Sequence, residues 1–176
     1  MEGQLLEALR QISIPKDNRR GVRKHVQDYK RGGLMGYAQN YTQTIYTAST
    51  FTQRKPALAK LLCDYVKEKR PDFRFSCIQV NEGASALHVD LANQGSSLII
   101  ALGNFTGGEL YIYPDKIVDI QNKLNEFDGL YPHMTLPFEG ERFSIVYFNL
   151  NPYNIKKTYP QASGAARFLR LLSSAC

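Results

Sequence analysis

Apolar positions recur along this chain with two periods, and the change of period divides it. Leu5, Ala8, Leu9 and Ile12 fall at i, i+3, i+4 and i+7, which predicts a short amphipathic helix ended by Pro15. A longer helix is expected after Pro56, a residue suited to a first helical turn. Leu58, Leu61, Leu62, Tyr65 and Val66 form its apolar stripe, with Lys60, Lys67, Glu68 and Lys69 opposite, and Pro71 stops it. Such a helix is expected to pack across the outside of a sheet. Ala165, Phe168, Leu169 and Leu172 suggest a short helix near the C-terminus.

Elsewhere the period drops to two. Tyr37 to Thr50, rich in Tyr, Thr and Ile, favours extended structure. Its Tyr37, Tyr41 and Tyr46 either wall a substrate site or simply pack a sheet. Phe73 to Val80 alternates as a strand, with Phe73, Phe75 and Cys77 on one side and Arg74, Ser76 and Ile78 on the other. Asn81 to Ala84 reads as a turn into an extended segment, Leu87 to Asp90. Ser97 to Leu102 is continuously apolar, as a strand buried on both faces would be. Asn104 to Gly107 is expected to turn it into a hairpin with Glu109 to Tyr113. Lys116 to Phe127 reads as a strand followed by an irregular stretch, and Arg142 to Asn149 as the last strand. Gly32-Gly33 reads as a turn or flexible joint.

Many short strands with Gly, Asn and Pro turns predict a mainly β chain: a sandwich or barrel with flanking helices. A single domain is expected over 1–176: a helical and basic flank, 1–71, a β core, 72–150, and a C-terminal flank, 151–176. No internal repeat or low-complexity tract is visible.

Composition narrows the class. No apolar run approaches the roughly 20 residues that span a bilayer, and the start lacks the pattern of a signal peptide. Cys63, Cys77 and Cys176 are an odd set without a CxxC, which points to an intracellular, reducing compartment, cytoplasmic or nuclear. The net charge of +6 permits a polyanionic partner. Its excess crowds into Lys16, Arg19, Arg20, Arg23, Lys24, Lys30 and Arg31. That run is either a solvated basic loop or a contact for nucleic acid.

The chemistry concentrates elsewhere. Two of the three histidines belong to His88-x-Asp90 and to His133, 45 residues downstream. On an extended segment His88 and Asp90 share a face, and His133 is far enough away to come from another strand. Two imidazoles and a carboxylate on one face of a metal form the triad of non-heme Fe(II) oxygenases, which leaves positions open. Arg142 and Ser144 share a strand face in turn. Their fork and hydroxyl suit the distal carboxylate of a 2-oxo acid, unless Arg142 pairs internally with Glu109 or Asp128. His25, in the basic run, reads as a surface residue.

The stretch from about Phe73 to Asn149 resembles the core of the 2-oxoglutarate/Fe(II)-dependent dioxygenases, where HxD, a distal His and Arg-x-Ser occur in this order. Within them it is similar to the TET/JBP branch and its short protist members. His88-Val89-Asp90-Leu91-Ala92-Asn93 matches that branch's HxDxxN, and Ser96 to Leu110, with Gly107-Gly108, matches its strand, Gly-Gly turn and next strand. The resemblance implies a double-stranded β-helix, or jelly roll. It implies Fe(II) on His88, Asp90 and His133, 2-oxoglutarate on Arg142 and Ser144, and O2 as oxidant. The expected activity is hydroxylation or oxidative demethylation of a modified nucleobase, a protein side chain or a small metabolite. A non-catalytic jelly-roll module that binds a metal or a carboxylate is the alternative. Asn93 matches the position that contacts the target base in TET/JBP enzymes, while Asn93-Gln94-Gly95 also suits a turn. The chain lacks the cysteine-rich region and zinc motif of animal TET enzymes.

Overall fold

The computed structural model describes residues 1–16, 31–40 and 45–150. The basic run from Arg19 to Lys30, with His25, lies outside the described residues, as do Tyr41 and the expected C-terminal helix. The elements are α1 (Glu2–Arg10), β1 (Arg31–Asn40), β2 (Ile45–Ala48), α2 (Thr50–Arg54), α3 (Pro56–Lys69), β3 (Cys77–Glu82), β4 (Asn93–Leu102), β5 (Phe105–Gly107), β6 (Leu110–Ile112), β7 (Lys116–Val118), β8 (Asn125–Phe127), β9 (His133–Thr135), β10 (Phe138–Gly140) and β11 (Phe143–Leu150).

Six strands form the large sheet in the order β2-β1-β3-β11-β4-β8, antiparallel at every junction. Two smaller sheets, β7-β6-β9 and β10-β5, complete the described strands. The mainly β architecture with flanking helices is that of a jelly roll. Helices cover one face of the large sheet. There α1 and α3 meet Ile78, Val80, Leu98, Ile100, Leu102, Ile145 and Tyr147 in one apolar core. The Tyr147 hydroxyl donates to the Leu62 carbonyl at 3.1 Å, so a buried phenol on the sheet is satisfied by the helix above it. Pro56 opens α3, and Lys67 and Lys69 sit in its last turn, where cations oppose the helix dipole.

The other face points into the roll. Ile99 and Ala101 of β4 join Phe105, Leu110, Ile112, Ile120 and Phe127 in a second core. Alternate residues of β4 thus enter two cores, which is why its pattern reads as continuously apolar.

Several boundaries differ from the sequence expectation. Gly32 and Gly33 lie inside β1, paired with Asn81 and Val80. A Cβ at Gly33 would lie 2.5 Å from the Phe51 ring, so this glycine makes room for an aromatic side chain. The strand expected at 73–80 starts at Cys77 and runs through Asn81 and Glu82, because β1 and β11 both pair with them. Asn93-Gln94-Gly95 is the start of β4, held by Asn149 and Leu150 of β11, and is no turn. No β4–β6 hairpin forms: β4 pairs with β11 and β8, and β6 with β7 and β9. The segment 116–127 yields β7 and also β8, whose partner is β4. Helix α2, missed in the sequence, is capped by Ser49 Oγ, which accepts from Thr52 N–H at 3.1 Å. No helix among the described residues is long and apolar enough to cross a membrane. Cys63 and Cys77 are both buried.

Candidate metal centre

Three segments meet at one point inside the roll. His88 lies on an extended loop and makes a single antiparallel bridge to His133, the first residue of β9. The His88 and His133 backbones exchange hydrogen bonds of 3.0 and 2.9 Å, and Asp90 N–H donates to Gly129 O at 2.9 Å. The HxD pair is therefore fixed against the chain that carries the distal histidine, although its segment is no regular strand.

One donor atom each from His88, Asp90 and His133 lies within 4.8 Å of the others. Nε2 of His88 is 3.6 Å from one Asp90 oxygen, and Nε2 of His133 is 3.7 Å from the other. These gaps exceed the roughly 2.7–3.2 Å of a hydrogen bond. They suit a bridging cation. The tautomers agree. His88 Nδ1 lies 2.7 Å from Ala86 O and His133 Nδ1 lies 2.8 Å from Tyr131 O. A carbonyl can only accept, so each Nδ1 carries the proton and each Nε2 presents its lone pair. His133 is 4% exposed and stands edge-on to the Phe127 ring. This donor set fits Fe(II).

Asn93 enters the same constellation. Its amide donates to Asp90 Oδ2 and to Ser97 Oγ, each at 3.4 Å. Gly129 leaves room on the other side: a Cβ there would sit 3.2 Å from both Cβ and Oδ2 of Asp90. The Asn93 amide thus tethers the carboxylate, and the Gly129 carbonyl holds the backbone behind it.

A cavity of about 70 Å³ opens on the triad. Gln79, Asn81 and Ser144 make its polar part, while Ile99, Leu110 and Phe127 make its apolar wall. Asn81 Nδ2 donates to Ser144 Oγ at 3.3 Å. Gln79 and Asn81 are site-lining residues that the sequence reading missed. The signal was their alternation with Ile78 and Val80 on a strand with an apolar partner face. Tyr37 sits on β1 and does not line this cavity.

Arg142 is placed differently from Ser144. Its guanidinium donates to Gly83 O at 2.9 Å and Gly108 O at 3.1 Å, between the rings of Phe105 and Phe138 at 5.5 and 5.6 Å. It lines a neighbouring cleft with Glu82, Gly83 and the 138–141 segment rather than the triad cavity. Gly108, at φ +74°, makes the cradle, since a Cβ there would lie 2.9 Å from Arg142 Nε. Arg142 is 2% exposed, and its Nε has no hydrogen-bond partner. Burial pulls its pKa down to about 10, with Glu109 acting weakly in the other direction. Neither Glu109 nor Asp128 pairs with it: among the described residues, no carboxylate lies within ion-pair distance of Arg142. It is a buried cation with one nitrogen, Nε, left without a partner.

Two solved structures share this architecture. NgTET1 in complex with 5mC DNA superposes with a TM-score of 0.60 at 16% identity, covering 98% of this chain and 75% of that one. An oxidoreductase of the 2OG-Fe(II) oxygenase family from Burkholderia pseudomallei gives 0.52 at 18% identity, over 83% and 74%. The chain has the fold of the 2OG-Fe(II) oxygenases. No family model matches the sequence. No curated protein matches it either.

Proposed function

We propose that this chain is an Fe(II)- and 2-oxoglutarate-dependent dioxygenase that hydroxylates or oxidatively demethylates its substrate. The convergence of His88, Asp90 and His133 inside a fold shared with the 2OG-Fe(II) oxygenases carries this reading. With O2, the Fe(II)/2-oxoglutarate pair supplies an oxidation in which the 2-oxo acid becomes succinate and CO2 and a substrate C–H becomes C–OH.

The chain's own residues do the rest. His88 and His133 offer neutral imidazole nitrogens whose tautomers the Ala86 and Tyr131 carbonyls fix. Asp90 supplies the carboxylate, and the Asn93 amide restricts its rotation. Arg142, buried and with Nε unsatisfied, would complete its bonding with the distal carboxylate of 2-oxoglutarate, and Ser144 would add a hydrogen bond. Ile99, Leu110 and Phe127 keep water away from the reacting centre. The reacting carbon belongs to a modified nucleobase, a protein side chain or a small metabolite.

Anaerobic Fe(II) titration followed by an O2-started assay of succinate release tests the reading. Saturable Fe(II) binding with 2-oxoglutarate turnover is expected, both lost in His133→Ala. Fe(II) binding with no succinate would leave a metal-binding module without turnover.

A further inference from the structure

Exposed apolar side chains on this molecule are not scattered. Apart from Met1, every exposed large hydrophobic among the described residues is Leu87, Leu91, Tyr113, Ile117, Leu130 or Tyr131. All six stand on the chain that builds the triad or on its immediate neighbours. Leu87 and Leu91 flank His88 and Asp90, and Leu130 and Tyr131 lie just before His133. Tyr113 N–H donates to Pro132 O at 2.8 Å, and Ile117 pairs with Tyr111 across β6 and β7. Leu91 is 84% exposed and Ile117 61%, although burying a side chain of this size is worth roughly 1.5–3 kcal/mol. An apolar rim of this kind marks a binding surface.

We infer that this rim docks an extended protein segment bearing apolar and basic side chains, one of which enters the cavity as the substrate. The inference rests on the dioxygenase reading for what happens to that side chain. Space comes first. The cavity of about 70 Å³ on the triad is shared with 2-oxoglutarate against Ser144, so the primary substrate brings one group to the triad and the rest of it lies on the rim. Charge then separates the two polymers that could do so. Between residues 75 and 141 the chain holds two lysines, Lys116 and Lys123, against nine Asp or Glu. Of those carboxylates, Asp90 belongs to the triad, and Glu82, Asp119, Glu126 and Glu141 are paired with Arg31, Lys123, Arg70 and Arg10. Within the rim segments Asp115 and Asp128 are exposed against one exposed cation, Lys116. A nucleic acid needs several Lys or Arg at its phosphates, and among the described residues the rim carries more carboxylates than cations. A basic, apolar peptide complements both features.

The test uses the full chain loaded anaerobically with Fe(II) and three fluorescent probes. These are a peptide pool built of Leu, Tyr, Val and Lys, the same pool with Glu replacing Lys, and a duplex carrying 5-methylcytosine. The Lys pool is expected to bind about tenfold or more tighter than either other probe. Leu91→Ser combined with Ile117→Ser should weaken it by a similar factor while Fe(II) affinity stays unchanged. Asp115→Asn with Asp128→Asn should abolish the preference for Lys over Glu. Asp128→Asn keeps the oxygen that accepts from Leu130 N–H, so the turn there survives. Tighter binding of the duplex, equal or absent binding of the pools, or indifference to the rim variants would overturn the proposal. Pool binding by a chain that takes up no Fe(II) would instead overturn the dioxygenase reading and leave the docking surface standing.

Discussion

On β3, Ile78 and Val80 are fully buried against the helices, while Gln79 and Asn81, one residue away from each, line the triad cavity. On β11, Ile145 and Tyr147 join the helical core while Ser144 opens onto the cavity with Val146 and Phe148. The same strands therefore build two regions of opposite character. One is dry, apolar and covered by α1 and α3. The other keeps amides, a hydroxyl, two imidazoles and a carboxylate within a small space. Strand alternation makes this possible at no topological cost, because adjacent residues never share a face. The lesson is a division of labour: the helical face should set stability, and the cavity face should set chemistry.

The largest expected effect breaks that division from both sides. Leu62 of α3 is fully buried, so Leu62→Ala should cost about 2–5 kcal/mol. For a chain of this length that is a fall in Tm of roughly 5–20 °C. The folded fraction should still bind Fe(II) normally. Asp90→Ala should do the reverse, removing Fe(II) binding and succinate release while stability stays within about 1 kcal/mol. Paired thermal melts and Fe(II) titrations check both. A large stability loss in Asp90→Ala would show that the two faces are not independent.

The next prediction sharpens the comparison at its one exception. Arg142 is a charged residue buried beside the strand that carries Ser144, and no carboxylate among the described residues lies within ion-pair distance of it. Arg142→Ala should weaken 2-oxoglutarate binding by about 100-fold or more, as loss of a buried charge-assisted pair of about 3 kcal/mol does, with Fe(II) affinity nearly intact. Calorimetry on the anaerobic Fe(II) form would measure it. Unchanged 2-oxoglutarate affinity would assign Arg142 to its two backbone carbonyls alone.

How much of this was legible in the residues follows from the same alternation. α3 could be read because a stripe at helical spacing meets a single apolar surface. β4 could be read as buried, but its partners could not, because a strand apolar on both faces carries no mark of which neighbour it takes. Gly32-Gly33 looked like a joint because nothing local announces that Phe51 needs the space. The triad was visible in the scarcity and order of its histidines. Gln79 and Asn81 were not, since an amide on a strand reads equally well as solvated. Arg142 and Ser144 were read as one unit from their spacing of two. The backbone does place them side by side, yet the carbonyls of Gly83 and Gly108 draw the long guanidinium into its own cradle.

The smallest effect expected is at Asn93, which lies in a strand rather than a turn and has a geometric role beside the triad. Asn93 opens β4 and sends its amide back to Asp90 Oδ2 and on to Ser97 Oγ, so it ties a metal-ligating oxygen to the rigid strand. Both bonds are long at 3.4 Å, and Asp90 is restrained separately at its backbone, whose N–H donates to Gly129 O at 2.9 Å. Removing one of two restraints should loosen the ligand without releasing it. Asn93→Ala is therefore expected to lower Fe(II) affinity by about 10-fold, the lower end for partners that orient metal ligands. The change in Tm should stay small, because Asn93 is only half-buried. Asn93→Gln, whose longer amide overshoots Asp90, should not restore the affinity, whereas a residue with a merely structural role in the strand would tolerate it. Fe(II) titrations of both variants beside the wild type decide the point, and wild-type affinity in Asn93→Ala would show that the backbone hydrogen bond to Gly129 O places Asp90 well enough without the amide.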